Sequence, residues 1–249
     1  MPSRAVQIAC ITLFAFCSKC INSAHADSLT DALAQQGRSS ADLQRDATSK
    51  PIEVLTFFGV EPGIIILDVL GGDGYYSEIL AHSVGSHGRV YLHNNQAYAG
   101  LMAGISARLA YDRLPNVIAI VQEIEDVLLA TESIDMVLAV MVYHDAYYTN
   151  NGWTVTPERF FAMIKRVLKP GGILGIVDHN AQPGSGVTFS QNLHRIDAQF
   201  ARRDIINRGF EFLGSIDVLE NPTDVLTQSV FEPEIRGRTS RFVHKYRKR

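Results

Sequence analysis

The sequence predicts an α/β fold: a three-layer sandwich on a seven-stranded, mostly parallel sheet, with an antiparallel hairpin at the C-terminal end. Three observations predict it. From Pro51 onward, short apolar runs alternate with amphipathic segments at a spacing that builds right-handed βαβ units. The first such run, "IIILDVL", is apolar almost throughout, as a strand covered on both faces must be. The last two strand-like runs, "FEFLGSIDVL" and "SRFVHKYR", have no helix between them and must therefore pair antiparallel.

The elements follow in order. Residues 27–50 are polar with weak helical signals and read as a flexible lead-in. "PIEVLTFFGV" is a helix, stopped by Glu61-Pro62-Gly63. After the first strand, a helix from Tyr75 to Ser83 closes near Gly85, and "RVYLHN" is the second strand. "QAYAGLMAGISARLAYDRL" reads as one long helix ended before Pro115, followed by strands "NVIAIV" and "IDMVLAVMV". "TPERFFAMIKRVL" opens on a Thr-Pro cap and puts Phe160, Phe161, Ile164 and Leu168 on one helical face. "KPGG" then turns the chain into the strand "ILGIVD". A Pro-Gly-Ser-Gly loop leads to a helix from Phe189 to Arg208 and then to the hairpin. The reading gives three parts: residues 1–26, the lead-in 27–50, and one domain over 51–249.

The first 26 residues have Arg4, an apolar stretch from Ala5 to Cys17 and an Ala24-His25-Ala26 ending. A charged start, a short apolar middle and small residues before the break predict a secretory signal peptide cut after Ala26, hence an exported protein destined for the periplasm. The apolar stretch is shorter than the roughly 20 residues of a bilayer span, so no membrane association is expected after cleavage. Cys10, Cys17 and Cys20 all lie in that segment, so the mature chain has no disulfide, thiolate ligand or cysteine nucleophile. Cleavage removes Arg4 and Lys19 and no acid, making the formal net charge of −3 more negative by two. This balance gives no footprint for nucleic acid, and the basic end "HKYRKR" reads as a solvated tail.

A parallel sheet binds ligands beyond the carboxyl ends of its strands, at the point where strand order reverses. The first strand ends at Asp68, so Gly71, Gly72 and Gly74 form the turn at that crevice. Their bare backbone lets a ligand lie against it, and the following helix presents free N–H groups and a partial positive charge. A short glycine-rich turn is also common for steric reasons alone.

"ILDVLGGDG" resembles motif I of the class I S-adenosylmethionine-dependent methyltransferases. "FFAMIKRVLKPGGILGIVD" resembles their post-motif segment, "QEIEDV" the acidic stretch after the third strand, and "SIDMVLAVMVYHD" the fourth strand. The likeness spans about residues 50–249. Within the superfamily, "GGDGYYSE", "MVYHD", "VDHNAQPGSG" and "HRID" resemble an exported bacterial group. The resemblance implies a Rossmann-like fold, S-adenosylmethionine as cofactor, and methyl transfer to a small molecule; the alternative is a non-catalytic scaffold with the same fold.

It also implies roles. Asp68 would orient the loop and approach the methionine amino group, over the backbone of Gly71, Gly72 and Gly74. Asn94 would take the ribose hydroxyls, Glu123 the adenine amino group, and Ile124 would offer backbone to the ring. Two positions depart from the pattern: Leu70 stands where the first motif glycine is usual, and Asn94 replaces a carboxylate. An amide loses the stronger, charge-assisted pair, which predicts a weaker grip on the cofactor. A nicotinamide dinucleotide fits less well, because its glycine pattern is incomplete and no acid ends the second strand.

For the chemistry, His144 and Asp145 follow the fourth strand and His179 follows the fifth. Imidazole titrates near neutral pH, which makes His144 the favoured general base, with Asp145 and His179 beside it. His194, on a predicted helix, reads as structural. Tyr143, Tyr147, Tyr148 and Trp153 either pack under a loop or line an aromatic acceptor pocket. Asp145, Asp178, His179 and Asn180 offer oxygen and imidazole donors, but no fixed ligand spacing, so no metal is assigned.

Overall fold

A computed structural model describes residues 28–150 and 152–249. The signal-peptide reading falls on residues outside these. Among the described residues, no helix is long and apolar enough to cross a membrane.

Seven strands form one sheet: β1 (Ile65–Val69), β2 (Arg89–Asn94), β3 (Val117–Val121), β4 (Ile134–Val140), β5 (Leu168–His179), β6 (Phe210–Ile216) and β7 (Arg241–Lys248). Their order is β3-β2-β1-β4-β5-β7-β6. β1 to β5 run parallel, and β7 pairs antiparallel with both β5 and β6, as the sequence predicts. The chain moves outward from β1 to β3 and then returns to place β4 on the other side of β1. The crevice therefore opens between the ends of β1 and β4. Register sets Asp68 beside Leu138 and Val140 beside Val177, so the loops after β1, β4 and β5 share one rim.

Alternation along β1 feeds two cores. Leu67 and Val69 join the layer of α5 (Pro157–Val167) and α7 (Ala198–Asn207), which contributes Phe160, Ile164 and Ile205. Ile66 joins the opposite layer of α2 (Pro51–Phe58), α3 (Tyr75–Val84) and α4 (Met102–Leu109), which contributes Leu55, Ile79 and Ile105. α5 begins where Thr156 caps it by accepting from the Arg159 amide, with Pro157 in its first turn.

Three expectations change. The lead-in is ordered: α1 (Ser40–Ser49) is capped by Ser39, and Leu29 and Ala32 are buried in the α2–α4 layer. Its polar residues are spent on specific partners. Arg38 pairs with both oxygens of Asp46 at 2.7 Å, Tyr75 Oη donates to Asp46 at 2.7 Å, and Arg108 reaches Asp42 at 2.8 Å. The predicted long helix after β2 splits into a 3-10 turn at Gln96–Leu101 and then α4, which ends ahead of the left-handed Tyr111 (φ 59°). The predicted helix from Phe189 splits into α6 (Ser190–Leu193) and α7 at His194, also left-handed (φ 54°). Asp197 starts α7 by accepting from the Gln199 amide, and Ile196 is bonded to the end of β5 by its N–H to the His179 carbonyl at 3.0 Å.

Candidate active site

A cavity of about 640 Å³ opens over the carboxyl ends of β1 and β4. Of the residues the sequence singled out, Asp68, Gly71, Gly72, His144, Asp145 and His179 line it. Gly74, Asn94, Glu123 and Ile124 are not part of its wall.

The glycine loop is fixed from below. The Gly71 amide donates to the His93 carbonyl at 3.0 Å. A Cβ on Gly71 would stand 2.6 Å from Asp68 Oδ2, so only glycine lets the loop pass over that carboxylate. Gly72 (φ 65°) is different: a Cβ there meets nothing nearer than Leu101 at 3.9 Å, so its bareness faces open space. The residues thus fit a ligand laid on the main chain. Leu70, the departure from the motif, adopts φ 53° and so takes the left-handed backbone a glycine would supply, with its side chain buried in the core. At the end of β4, Met141 is also left-handed (φ 57°), so the rim of the crevice is strained on both sides.

Asn94 is fully buried, and its amide is committed to the loop. Oδ1 accepts from the Gly72 amide at 3.0 Å and Nδ2 donates to the Gly72 carbonyl at 2.7 Å. Glu123 accepts from the Gln96 amide at 3.2 Å and from Thr154 Oγ1 at 2.5 Å, tying the loops after β2 and β4 together. Ile124 is a core residue. Asp68 accepts from Ser77 Oγ at 2.7 Å; burial pushes its carboxyl up to about 6.

At the other end, His144 Nδ1 lies 2.7 Å from Asp178 Oδ1, while Asp178 also accepts the amides of His144 and His179, each at 2.7 Å. His144 Nε2 faces Asp145 Oδ1 at 3.2 Å and His194 Nδ1 at 3.2 Å. Burial opposes a charge on this ring, but the carboxylates of Asp178 and Asp145 outweigh it and push the imidazole up to about 10. This direction favours a proton on the ring when nothing else is bound, which weighs against the general-base role expected of His144. His179 is the opposite case. Burial, with the His144 charge nearby, drives it well below its usual range, and its Nδ1 pairs with Thr239 Oγ1 at 2.7 Å.

The aromatic residues after β4 divide between the two accounts. Tyr143 and Tyr147 both donate to Asp204 Oδ2, at 2.9 and 2.8 Å, and belong to the packing. Tyr148 and Trp153 line the cavity, and Trp153 Nε1 donates to the Asp145 carbonyl at 2.8 Å.

Several lining residues come from places the sequence reading passed over. Arg45, Thr48 and Ser49 of α1 close one side, and Arg45 stacks 4.1 Å above the Tyr75 ring. Tyr98 comes from the first interrupted helix, and residues between β6 and β7, including Phe231, form a roof; His194, expected to be structural on a helix, instead lines the cavity from the break in the second. The roof is latched by Arg195 and Asp224, both fully buried side chains paired at 2.9 and 3.0 Å. The Asp197 cap signal, two residues after Arg195, was the available sign that the last helix begins late.

Residues 67–176 match the family described as a methyltransferase domain. No curated protein sequence matches the chain. Among solved structures, a SAM-dependent methyltransferase from Aquifex aeolicus superimposes with a TM-score of 0.61 at 20% identity, covering 82% of this chain and 92% of its own. The geranyl diphosphate C-methyltransferase of Streptomyces coelicolor A3(2) gives 0.56 at 14% identity, covering 88% of each chain. An arsenic(III) S-adenosylmethionine methyltransferase from Chlamydomonas reinhardtii gives 0.55 at 19%, covering 88% of this chain and 72% of its own. At these identities the structural likeness is one of fold. The chain thus carries a methyltransferase domain over residues 67–176, in a fold that it shares with S-adenosylmethionine-dependent methyltransferases.

Proposed function

We propose that the protein transfers a methyl group from S-adenosylmethionine to a small-molecule acceptor at the histidine end of the cavity, outside the cytoplasm. One observation carries the reading: a single cavity of about 640 Å³ includes both the bare backbone at Gly72 and the His144 cluster. That size lies within the span of small-molecule sites, about 300–1,000 Å³.

S-adenosylmethionine brings a methyl group already activated on a sulfonium. The chain's part is then to bind, align and shield. Gly71 and Gly72 offer main chain, and Asp68 offers a carboxylate at the cationic end. Arg45, within electrostatic reach of Asp68, and the buried Arg241 bring positive charge suited to the methionine carboxylate. Tyr148 and Trp153 give the acceptor aromatic walls, and the roof between β6 and β7 limits water. Asn94 serves this site as the pin of the loop, and Leu70 supports the same loop shape; neither departure favours the scaffold alternative.

Export is supported by the pattern of residues 1–26, and N-terminal sequencing of the native protein checks it: a start at Asp27 is expected, and an intact Met1 overturns it. For the reaction, methyl-labelled cofactor is incubated with the protein and a fractionated cell extract. Label should enter the small-molecule fraction. Label confined to protein or nucleic acid overturns the acceptor class, and absence of cofactor binding at millimolar concentration overturns the enzyme.

A further inference from the structure

We propose that His144, Asp145 and His194 form a binding site for a divalent first-row transition-metal ion at the acceptor end of the cavity. Three donor atoms, His144 Nε2, Asp145 Oδ1 and His194 Nδ1, stand at the corners of a nearly equilateral triangle with sides of 3.2, 3.2 and 3.3 Å. Nitrogen and oxygen donors about 2.1 Å from an ion lie about 3.0 Å apart at right angles and about 3.4 Å apart in a tetrahedron. The triangle falls between these values, so one ion above its centre reaches all three donors without moving them. Two imidazoles and a carboxylate suit zinc, iron, cobalt or manganese better than magnesium or calcium, which prefer oxygen alone.

The surroundings are those of a metal ligand set. His144 carries a carboxylate on its far nitrogen, Asp178 Oδ1 at 2.7 Å from Nδ1, which fixes the tautomer and leaves Nε2 for the triangle. Asp178 is itself held by the amides of His144 and His179, so it is an orienting group, not a ligand. His194 is aimed by its left-handed backbone and held between the rings of Tyr148, centroid to centroid 5.1 Å, and Phe231, 4.8 Å. All three residues line the cavity, so an ion's remaining positions open to it. The ion's use, to hold an oxygen donor of the acceptor, rests on the methyl-transfer reading; binding of the ion does not, and is tested without cofactor.

The test is titration of the chelator-treated protein with Zn²⁺ by calorimetry and with Co²⁺ by visible absorption. About one ion per chain is expected, with a Co²⁺ ligand-field band. His194→Ala and Asp145→Asn should each weaken Zn²⁺ binding by more than about 100-fold, and Asp178→Asn by about 10–100-fold, the range for an outer-shell partner. His82→Ala, outside the cavity wall, should change nothing. Thermal melts without metal establish folding; if His194→Ala does not fold, the nearly isosteric Asp145→Asn carries the comparison. The proposal is overturned if the unmodified protein binds no Zn²⁺ at one site, if His82→Ala loses as much as the triangle variants, or if Co²⁺ gives only the spectrum of the hydrated ion. In those cases the triangle holds a proton.

Discussion

Asn94→Asp restores the acid that the superfamily pattern places at the end of β2, and the structure predicts that it harms the site. The amide makes two bonds to one residue, accepting from the Gly72 amide at 3.0 Å and donating to the Gly72 carbonyl at 2.7 Å. A carboxylate keeps the first bond and turns the second into two oxygens facing each other at the same distance. A lost hydrogen bond is about 0.5–1.5 kcal/mol and a buried carbonyl left without a donor about 1–3 kcal/mol, so the variant should lose about 2–4 kcal/mol at neutral pH. In acid the new carboxyl takes a proton and can donate to the carbonyl again, so the loss should shrink. Denaturant unfolding at acid and neutral pH measures both. Trp153, the chain's single tryptophan, lines the cavity and gives a fluorescence signal for cofactor binding in the same samples. If Asn94→Asp binds S-adenosylmethionine more tightly with stability unchanged, the loop-pin account is wrong and the residue faces the ribose, as the resemblance implies.

Gly72→Ala places a methyl group in open space at φ 65°, so it should lose about 1–2 kcal/mol of stability yet abolish cofactor binding; retained affinity by calorimetry refutes the cradle. Gly71→Ala drives a methyl group into Asp68 and Leu92, at 2.6 and 2.7 Å, and should lose about 1–3 kcal/mol in unfolding experiments even without ligand. Asp68, raised from 3.8 to about 6 by burial, favours folding below its unfolded pKa, and that advantage of about 3 kcal/mol disappears as pH rises through 6. The cationic cofactor favours the ionised form, so its affinity should rise through the same interval, with proton release seen by calorimetry in two buffers; a flat profile removes Asp68 from the cofactor's end. Asp224→Ala leaves the fully buried Arg195 cation without its carboxylate and should cost about 3–5 kcal/mol, whereas Arg195→Met with Asp224→Leu should cost less than either single change.

The strands and the hairpin were legible because two-sided burial leaves an apolar run and the absence of an intervening helix forces antiparallel pairing. The glycine loop was legible for a related reason, since side chains are excluded there by backbone geometry that sequence records directly. The errors share a different cause. "QAYAGLMAGISARLAYDRL" has helical composition throughout, and so does the stretch from Phe189, but tertiary contacts break both. Arg195 turns inward to Asp224 and Ile196 joins the end of β5, so the left-handed turn at His194 is dictated by partners distant in sequence. The polar lead-in read as flexible because its acids and arginines looked solvated, whereas Asp42 and Asp46 have cationic or phenolic partners just ahead of α1 and on α3 and α4. The setting of His144 was legible only in part: Asp145 is its neighbour in sequence, but Asp178 reaches it from β5.

The boundary of the matched domain has a physical counterpart in the cavity. Asp68, Gly71 and Gly72, within residues 67–176, line the end of the cavity proposed for the cofactor. His179, His194, Phe231 and Arg241 lie beyond the match, and Arg45 precedes it, yet all close the same space. A fold can keep its glycine loop nearly constant while these flanking segments change, because the loop is fixed by β1, β2 and Asn94, whereas the roof is held by side chains outside that loop, among them Arg195 with Asp224 and His179 with Thr239. Acceptor choice in this protein should therefore follow the flanks. Exchanging residues 217–240 for the corresponding segment of a relative should alter acceptor preference and leave S-adenosylmethionine affinity within a few-fold. Loss of cofactor affinity in such a chimaera would show that the roof, not the glycine loop, sets the cofactor site.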